Sequence, residues 1–254
     1  MNSRDFTLTA YEKLLQALRE QAYSFVTFEN YLNSPQEGPL IILRHDVDKL
    51  PQNSLASAQI EHKMGIRATY YFRIVKESNH PKVIQSIAKL GHEIGYHYED
   101  LALSGGNPDK ALVMFQSNLN YFRQFYPVTT ICMHGSPMSR WDNRELWKNY
   151  SYKAFGIQGE PYFELDFNRF CYLTDTGRRW NGNDVSVRDK VHGFYNPGFK
   201  STFDFIRGIE KLPDYLHITT HPQRWENDLL PWMKELLLQN MKNKVKRVVT
   251  KLIR

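Results

Sequence analysis

Two carboxylates set two residues apart carry the first chemical signal in this chain. Asp46 and Asp48 close the stretch Leu40-Ile41-Ile42-Leu43-Arg44-His45-Asp46-Val47-Asp48. On an extended chain, residues i and i+2 point to one face. Carboxylates so placed repel unless a cation sits between them or one keeps a proton. The four apolar residues before them read as a short buried strand. Such a strand has little reason to end in Arg, His and Asp unless its end faces a site. A loop with helix-capping aspartates is the plainer alternative, since Pro51 and Asn53 follow closely. Later strand ends argue against it: His97-Tyr98-Glu99-Asp100, His134-Gly135-Ser136, Thr174-Asp175-Thr176-Gly177-Arg178-Arg179-Trp180 and His221-Pro222-Gln223-Arg224-Trp225. Asp with two His is a mixed oxygen and nitrogen donor set that suits zinc, and also cobalt, nickel or manganese. A catalytic metal keeps one position open. One aspartate then binds metal, the other serves as base toward water, and His221 serves as acid to a leaving group. These parts suffice to hydrolyse an amide or an ester.

The elements that must position these residues alternate. A helix is expected over residues 9–32, with Tyr11, Leu14, Leu15, Leu18, Ala22 and Phe25 at helical spacing. Turn signals follow at Asn33-Ser34-Pro35 and Gly38-Pro39. Strands are expected at 40–48, 68–75, 92–98, 128–133, 152–158, 170–174 and 214–220. Helices are expected at 53–64, 81–90, 108–125, from 143 to at least 147, and at 201–211. Alternation of this kind implies parallel strands and an α/β fold. In a β/α barrel all such strand ends meet on one face, where active sites lie. Residues 176–200, rich in Gly, Asn, Arg and Asp, read as a long functional loop.

Size and charge narrow the function classes. The chain has 254 residues, 41% hydrophobic and 24% charged, which suits one globular domain with a self-sufficient core. No membrane-spanning run and no secretory h-region is present, so a cytoplasmic location is expected. Cys132 and Cys171 match no metal or redox spacing and are expected as reduced thiols. The net charge is +6, and residues 241–254 hold Lys242, Lys244, Lys246, Arg247, Lys251 and Arg254 with no acid. Six minus six leaves residues 1–240 at zero, with no basic surplus to mark a nucleic-acid binder.

At the motif level the sequence resembles the polysaccharide deacetylases, the NodB-homology or carbohydrate esterase family 4 group. The resemblance rests on His45-Asp46-Val47-Asp48 after a buried strand, on Gly91-His92-Glu93-Ile94-Gly95-Tyr96-His97, and on Ile218-Thr219-Thr220-His221. The second string is the most specific, and the motifs run in order over roughly residues 40–222. The resemblance implies a distorted, incomplete (β/α) barrel and a metal-dependent N- or O-deacetylase with a carbohydrate substrate. It implies Asp46 as base, Asp48 and His97 as metal ligands, and His221 as general acid. It also implies an Asp–Trp pair that orients the catalytic acid or base, for which Asp175 and Trp180 are the fits.

The sequence departs from that pattern in three places. Val47 separates aspartates that are usually adjacent. The second metal histidine, four residues after the first, is here Leu101, which cannot bind a metal. The fourth strand reads Met133-His134-Gly135-Ser136-Pro137 in place of an Arg-Pro element. His134 is therefore the expected third ligand of a divalent metal, zinc by preference, with Glu99, Asp100, His45 and His92 behind it. His45, Asp100, Asp175, Arg178 and Trp180 form the expected substrate-binding or supporting set. Four bland readings stand beside these: a His45 satisfied in the core, a structural His92, an Asp175–Arg178 ion pair, and a stacked Arg224–Trp225 pair. Two other functions stand beside the deacetylase: a hydrolase of non-sugar amides on the same barrel, and an inactive sugar-binding descendant.

The domain division expected is a barrel over 1–231 and a basic amphipathic helix over 232–254. Leu237, Leu238, Met241, Val245, Val248, Val249, Leu252 and Ile253 recur at helical spacing on one face of that helix, and the lysines and arginines fall largely opposite. A last helix packed on the barrel with a solvated basic face is the plainer reading, above all for residues 232–241. Beyond them a basic amphipathic helix is a membrane-surface signal, so peripheral contact with an anionic membrane is expected through it.

Overall fold

A computed structural model of the chain describes residues 4–34, 37–180, 188–189, 191–193, 195 and 197–252, with side chains described as far as 245. Part of the expected 176–200 loop, and the side chains of Lys246, Arg247, Lys251 and Arg254 in the tail, lie outside the described residues.

Among the described residues, seven parallel strands form one sheet: β1 (Ser24–Val26), β2 (Leu40–Val47), β3 (Thr69–Phe72), β4 (Glu93–Tyr98), β5 (Ile131–Met133), β6 (Cys171–Thr174) and β7 (Tyr215–Thr220). Six run in the order β5-β4-β3-β2-β7-β6, with β1 paired to the first half of β2. No pairing between β5 and β6 closes the ring among the described residues, and only Thr130 and Gly159 form an isolated bridge near that seam. The sheet is thus an incomplete β/α barrel, as expected.

Strand β2 is the axis, and its eight residues are all buried. Alternation sends its side chains to two different places. Ile41, Leu43 and Val47 join the large core between sheet and helices. Leu40 and Ile42 join Phe28, Leu165 and Phe170 in a smaller cluster that plugs the floor of the barrel. Arg44 and Asp46, on that same inward face, lie above the plug.

The helices are α1 (Leu8–Glu20), α2 (Phe28–Asn33), α3 (Pro51–Lys63), α4 (Pro81–Lys89), α5 (Asp100–Leu103), α6 (Pro108–Phe122), α7 (Pro161–Glu164), α8 (Thr202–Gly208) and α9 (Leu229–Leu252). The single helix expected at 9–32 is in fact α1, β1 and α2. Ala22 adopts a positive φ of 60° that breaks the first helix. Thr27 then caps the second by accepting a hydrogen bond from the Asn30 N–H at 3.1 Å. Apolar spacing ran across that break because Phe25 serves a strand instead. The strand expected at 152–158 is a 3-10 turn over Tyr152–Phe155, ended by Gly156 at φ 69°. Its Tyr152 ring packs on Trp147, and Phe155 on Phe115, outside the sheet. The segment from Asn143 is likewise 3-10. No helix of the described residues is long and apolar enough to cross a membrane.

Candidate metal-hydrolase site

The C-terminal ends of β2, β4, β5, β6 and β7 meet around a pocket of about 100 Å³ lined by Asp46, Asp48, His97, His134, Thr176 and His221, among others. Five strand ends that are far apart in sequence are therefore brought together, as expected of a barrel rim.

Asp48 sits just past β2, and two histidines aim at it. His97 Nε2 lies 3.8 Å from Asp48 Oδ1, and His134 Nε2 lies 3.6 Å from the same oxygen. The other ring nitrogen of each histidine is already engaged. His97 Nδ1–H donates to the Cys132 carbonyl at 2.9 Å. His134 Nδ1–H donates to Glu99 Oε2 at 2.8 Å. A carbonyl or a carboxylate can only accept, so these bonds place the proton on Nδ1 and leave each Nε2 lone pair facing Asp48. Asp48 Oδ1 is buried and has no hydrogen-bond partner. A buried oxygen left without a donor is costly, and a cation is what these three donors have in common. Around tetrahedral zinc, with ligands at about 2.0–2.1 Å, donor atoms stand about 3.3 Å apart. Each histidine stands about 0.3–0.5 Å beyond that spacing from Asp48 Oδ1, and a carboxylate with two imidazoles is a donor set that a divalent metal takes.

The structure holds the histidines as metal sites usually do, through a supporting shell of hydrogen bonds. Glu99 binds His134 on one side and takes a bidentate clamp from Arg73, Nε and Nη2 each at 2.8 Å, on the other. Burial pushes the Glu99 carboxyl up, but His134 and Arg73 outweigh it and hold it down at about 2. Asn143 Nδ2 donates to the His134 carbonyl at 2.7 Å and to Ser136 Oγ at 3.1 Å. Ser136 has φ 38°, a strained value for a non-glycine residue, next to the histidine it helps to fix. Arg188 closes the loop from outside, donating to the carbonyls of Gly135, Ser136 and Ser139.

Asp46 is differently placed. Arg44, two residues before it on the same face, holds both carboxylate oxygens, Nε to Oδ1 at 2.7 Å and Nη2 to Oδ2 at 2.6 Å. Burial favours protonation, yet Arg44 and then His97 hold the Asp46 carboxyl down at about 2. Burial pushes His97 the other way, to about 4, so at neutral pH the imidazole is neutral and Arg44 alone keeps Asp46 ionised. Among the described residues, the trio whose ligand atoms all lie within 4.8 Å of one another is Asp46, His97 and Cys132. That trio is the poorer metal site. Both Asp46 oxygens are engaged, and burial raises the Cys132 thiol well above its ordinary range, whereas a metal needs the thiolate.

Across the pocket His221 faces Asp48 Oδ2 at 4.0 Å. Its Nδ1 lies 2.6 Å from Asp175 Oδ1, and its backbone N–H donates to Asp175 Oδ2 at 3.0 Å. Asp175 is fully buried and also accepts from Arg224 Nη1 at 2.5 Å and Trp225 Nε1 at 2.8 Å. Burial pushes Asp175 up, and Arg224 with His221 reverses this and lowers it. The imidazole is thus fixed through one nitrogen, with the other turned to the pocket.

Four of the expected supporting residues are elsewhere. His45 points to the opposite face of β2 from Asp46, donating from Nε2 to Glu61 Oε1 at 2.8 Å and accepting from Thr220 Oγ1 at Nδ1 at 2.7 Å. Asp100 turns toward α6, where Tyr96 and Asn118 donate to it. Arg178 donates to the Trp232 carbonyl and stacks over the Trp232 and Phe6 rings, and it makes no side-chain bond with Asp175. Trp180 donates to Thr202 Oγ1 and packs on Phe205. The tryptophan that reaches Asp175 is Trp225. Arg224 and Trp225 are donors to the carboxylate and not a stacked pair closing the barrel. His92 is structural, bridging the Ala68 N–H and the Ala58 carbonyl. Leu101 is 4% exposed in the large core.

Sequence reading missed Arg73 as the clamp on Glu99, Arg44 as the partner of Asp46, and Asp189, which accepts from Tyr162, Tyr172 and Thr176 at the pocket wall. The Arg44–Asp46 pair carried a signal, an i, i+2 spacing on a strand. Arg73 and Asp189 carried none.

No protein-family model matches this chain, and no curated protein does. Solved structures do match. A carbohydrate esterase family 4 pseudoenzyme from Bacillus anthracis aligns at 14% identity over 81% of this chain and 60% of its own, with a TM-score of 0.45. This chain thus spans about three fifths of that relative's length. A Streptococcus mutans family 4 esterase aligns at 16% identity over 90% of each chain, with a TM-score of 0.45. A family 4 carbohydrate esterase from Streptomyces lividans, in complex with acetate, aligns at 12% identity over 82% of this chain and 90% of its own, with a TM-score of 0.42.

Proposed function

We propose that the protein is a divalent-metal hydrolase that removes an acetyl group from an N- or O-acetylated sugar or glycan precursor. One observation carries the metal: the two Nε2 atoms of His97 and His134, each locked by its Nδ1 bond, converge on an Asp48 oxygen without a partner. The motif order from Asp46 to His221 supports the acetyl-sugar substrate class. Asp48, His97 and His134 would hold the metal, and zinc is the first choice for a carboxylate and two imidazoles. When bound, such a metal acts as a Lewis acid toward an acyl oxygen and makes water a better nucleophile at neutral pH.

The chain's own groups supply the rest. Arg44 keeps Asp46 ionised and fixed, so its carboxylate is a standing proton acceptor beside the pocket. Its low pKa makes it a weak base, so the proton it takes must come from a strongly acidified water. His221 presents Nε2 toward the leaving nitrogen or oxygen and gives it a proton. Asp175 stabilises the imidazolium that precedes this transfer, and Trp225 and Arg224 keep Asp175 from moving or protonating. Met133, Tyr162 and Thr176 wall the pocket to a size that admits a small acyl group.

The test is metal analysis of the purified chain together with acetate release from N-acetylated chito-oligomers. One equivalent of metal and metal-dependent acetate release are expected. A metal-free protein that releases acetate would favour a different hydrolase mechanism. A metal-free, inactive protein that binds the oligomers would favour the sugar-binding descendant.

A further inference from the structure

Helix α9 is built inside out. A helix packed on a globular domain normally turns its apolar stripe inward. Among the described residues of α9, the buried ones are Glu235, Gln239 and Asn243, four apart, while Trp232 and Leu236 are half-buried. Glu235 pairs with Lys49 at 2.7 Å, and Asn243 Nδ2 ties the helix to the barrel by donating to the Gly177 carbonyl at 2.9 Å. Gln239 Nε2 donates to Asn243 Oδ1 between them. The opposite side carries Leu230, Leu237, Met241 and Val245, exposed by 79, 61, 66 and 56%. Large side chains so exposed on one face mark an interaction surface.

That apolar face continues to the catalytic mouth. Leu238, Met241 and Val245 form one wall of a groove of about 610 Å³, and Pro137 and Met138 form the facing lip. The groove shares Asp48, His134 and Arg224 with the catalytic pocket. Met138, at its edge, is 89% exposed. Lys242 also lines the groove, and Lys242 and Lys244 are both exposed. From residue 241 onward the sequence holds six basic residues and no acid.

We propose that this face docks the protein on an anionic lipid bilayer, with the mouth of the pocket toward the surface. The acids of the groove, Asp48, Glu77 and Glu235, lie toward the barrel, where Lys49 and Arg73 also line it and Lys49 pairs with Glu235. Exposed apolar residues flanked by Lys242 and Lys244 are what such a surface selects. A second copy of the chain would set two basic segments against each other. The proposal is independent of the hydrolase reading, because it needs neither metal nor turnover.

Sedimentation of the full chain with vesicles tests it. Vesicles of phosphatidylcholine mixed with phosphatidylglycerol should pellet the protein at low salt. Phosphatidylcholine alone should pellet much less, and high salt should weaken the anionic case. Each basic residue near the surface contributes about fivefold in partitioning, so K242E/K244E should lose well over tenfold. The variant L237E/M241E/V245E alters only exposed positions. It should keep its circular dichroism and melting temperature and lose about tenfold or more in partitioning. No pelleting of the parent with anionic vesicles would overturn the proposal, as would equal pelleting of parent and both variants. Sedimentation equilibrium gives the remaining outcome: a parental dimer that L237E/M241E/V245E turns into a monomer would assign the face to a second copy and overturn it.

Discussion

The two faces of β2 carry similar residues and do opposite things. Outward, His45 meets Glu61, Tyr11 and Tyr70, and His92 lies 3.5 Å from the same Glu61, all buried. Inward, Arg44 and Asp46 lead to Asp48, His97, His134 and His221. By composition either could be a catalytic centre. In the outward cluster every described polar group is engaged: Glu61 takes Tyr11, Tyr70 and His45, and the second nitrogen of His45 accepts from Thr220. The inward face leaves Arg44 Nη1, Asp48 Oδ1, both nitrogens of His217 and Thr219 Oγ1 without partners. The difference is one of valence, because a saturated buried network holds a fold together while open valence on a rim calls for a guest.

The largest effects should come from the open side. Asp48→Ala or His134→Ala should lose bound metal and acetate release together, down to background. Full metal occupancy in either variant, measured by elemental analysis, would remove that residue from the ligand set and break the contrast. Next, His221→Ala should cost about 10²–10⁴-fold in turnover with metal retained. Asp175→Asn should follow in the same direction, because it unfixes the imidazole. An unchanged rate and pH profile in His221→Ala would exclude it as the acid. On the saturated side, Glu61→Gln should cost roughly 3–5 kcal/mol in urea unfolding and leave turnover per folded molecule unchanged. A rate loss without a stability loss would mean that the outward cluster takes part in the chemistry.

The smallest effect concerns Asp100, which burial raises to about 7 against the donors Tyr96 and Asn118. Its folded pKa exceeds its unfolded one, so the folded state binds the extra proton between about pH 4 and 7. Its contribution is therefore complete below pH 4 and lost as pH rises to 7, a swing of up to about 4 kcal/mol. Asp100→Asn should flatten that part of the stability curve and leave activity intact. An unchanged slope between pH 5 and 7 would show that Asp100 is not the group that titrates.

Much of this arrangement was legible in the sequence. Period and turn chemistry placed β2, β4, β6, β7 and most helices, because each has a clean pattern and a Gly or Pro boundary. The pattern failed where a break had no Gly or Pro, as at Ala22, and where aromatics packed against each other outside the sheet, as at Tyr152 and Phe155. At the site, Asp46, Asp48, His97, His134 and His221 all reach the pocket because strand ends converge. His45 stayed open between a core and a site role, and Arg178 misled, for a single reason: residue type at a strand end does not reveal which way a side chain turns. His45 sits one residue from Asp46, and one residue on a strand reverses the face. Trp180 and Trp225 each follow a candidate strand end, and only folding decided which one reached Asp175.

Moving the third ligand from position 101 to position 134 changes what a metal would hold together. Leu101 stands on the turn that follows the strand of His97, so a ligand there would join two neighbours in sequence. His134 instead follows β5, a three-residue edge strand paired only through His97↔Cys132 and its two neighbours. A metal shared by His97 and His134 is therefore a clasp across the last strand pair, on the flank where the barrel fails to close. Edge segments are the first to open in local unfolding, and a ligand that binds only the closed form suppresses that opening by mass action. Amide exchange at residues 131–134 should slow when metal is added, while exchange in β2, already enclosed by neighbours on both sides, should hardly change.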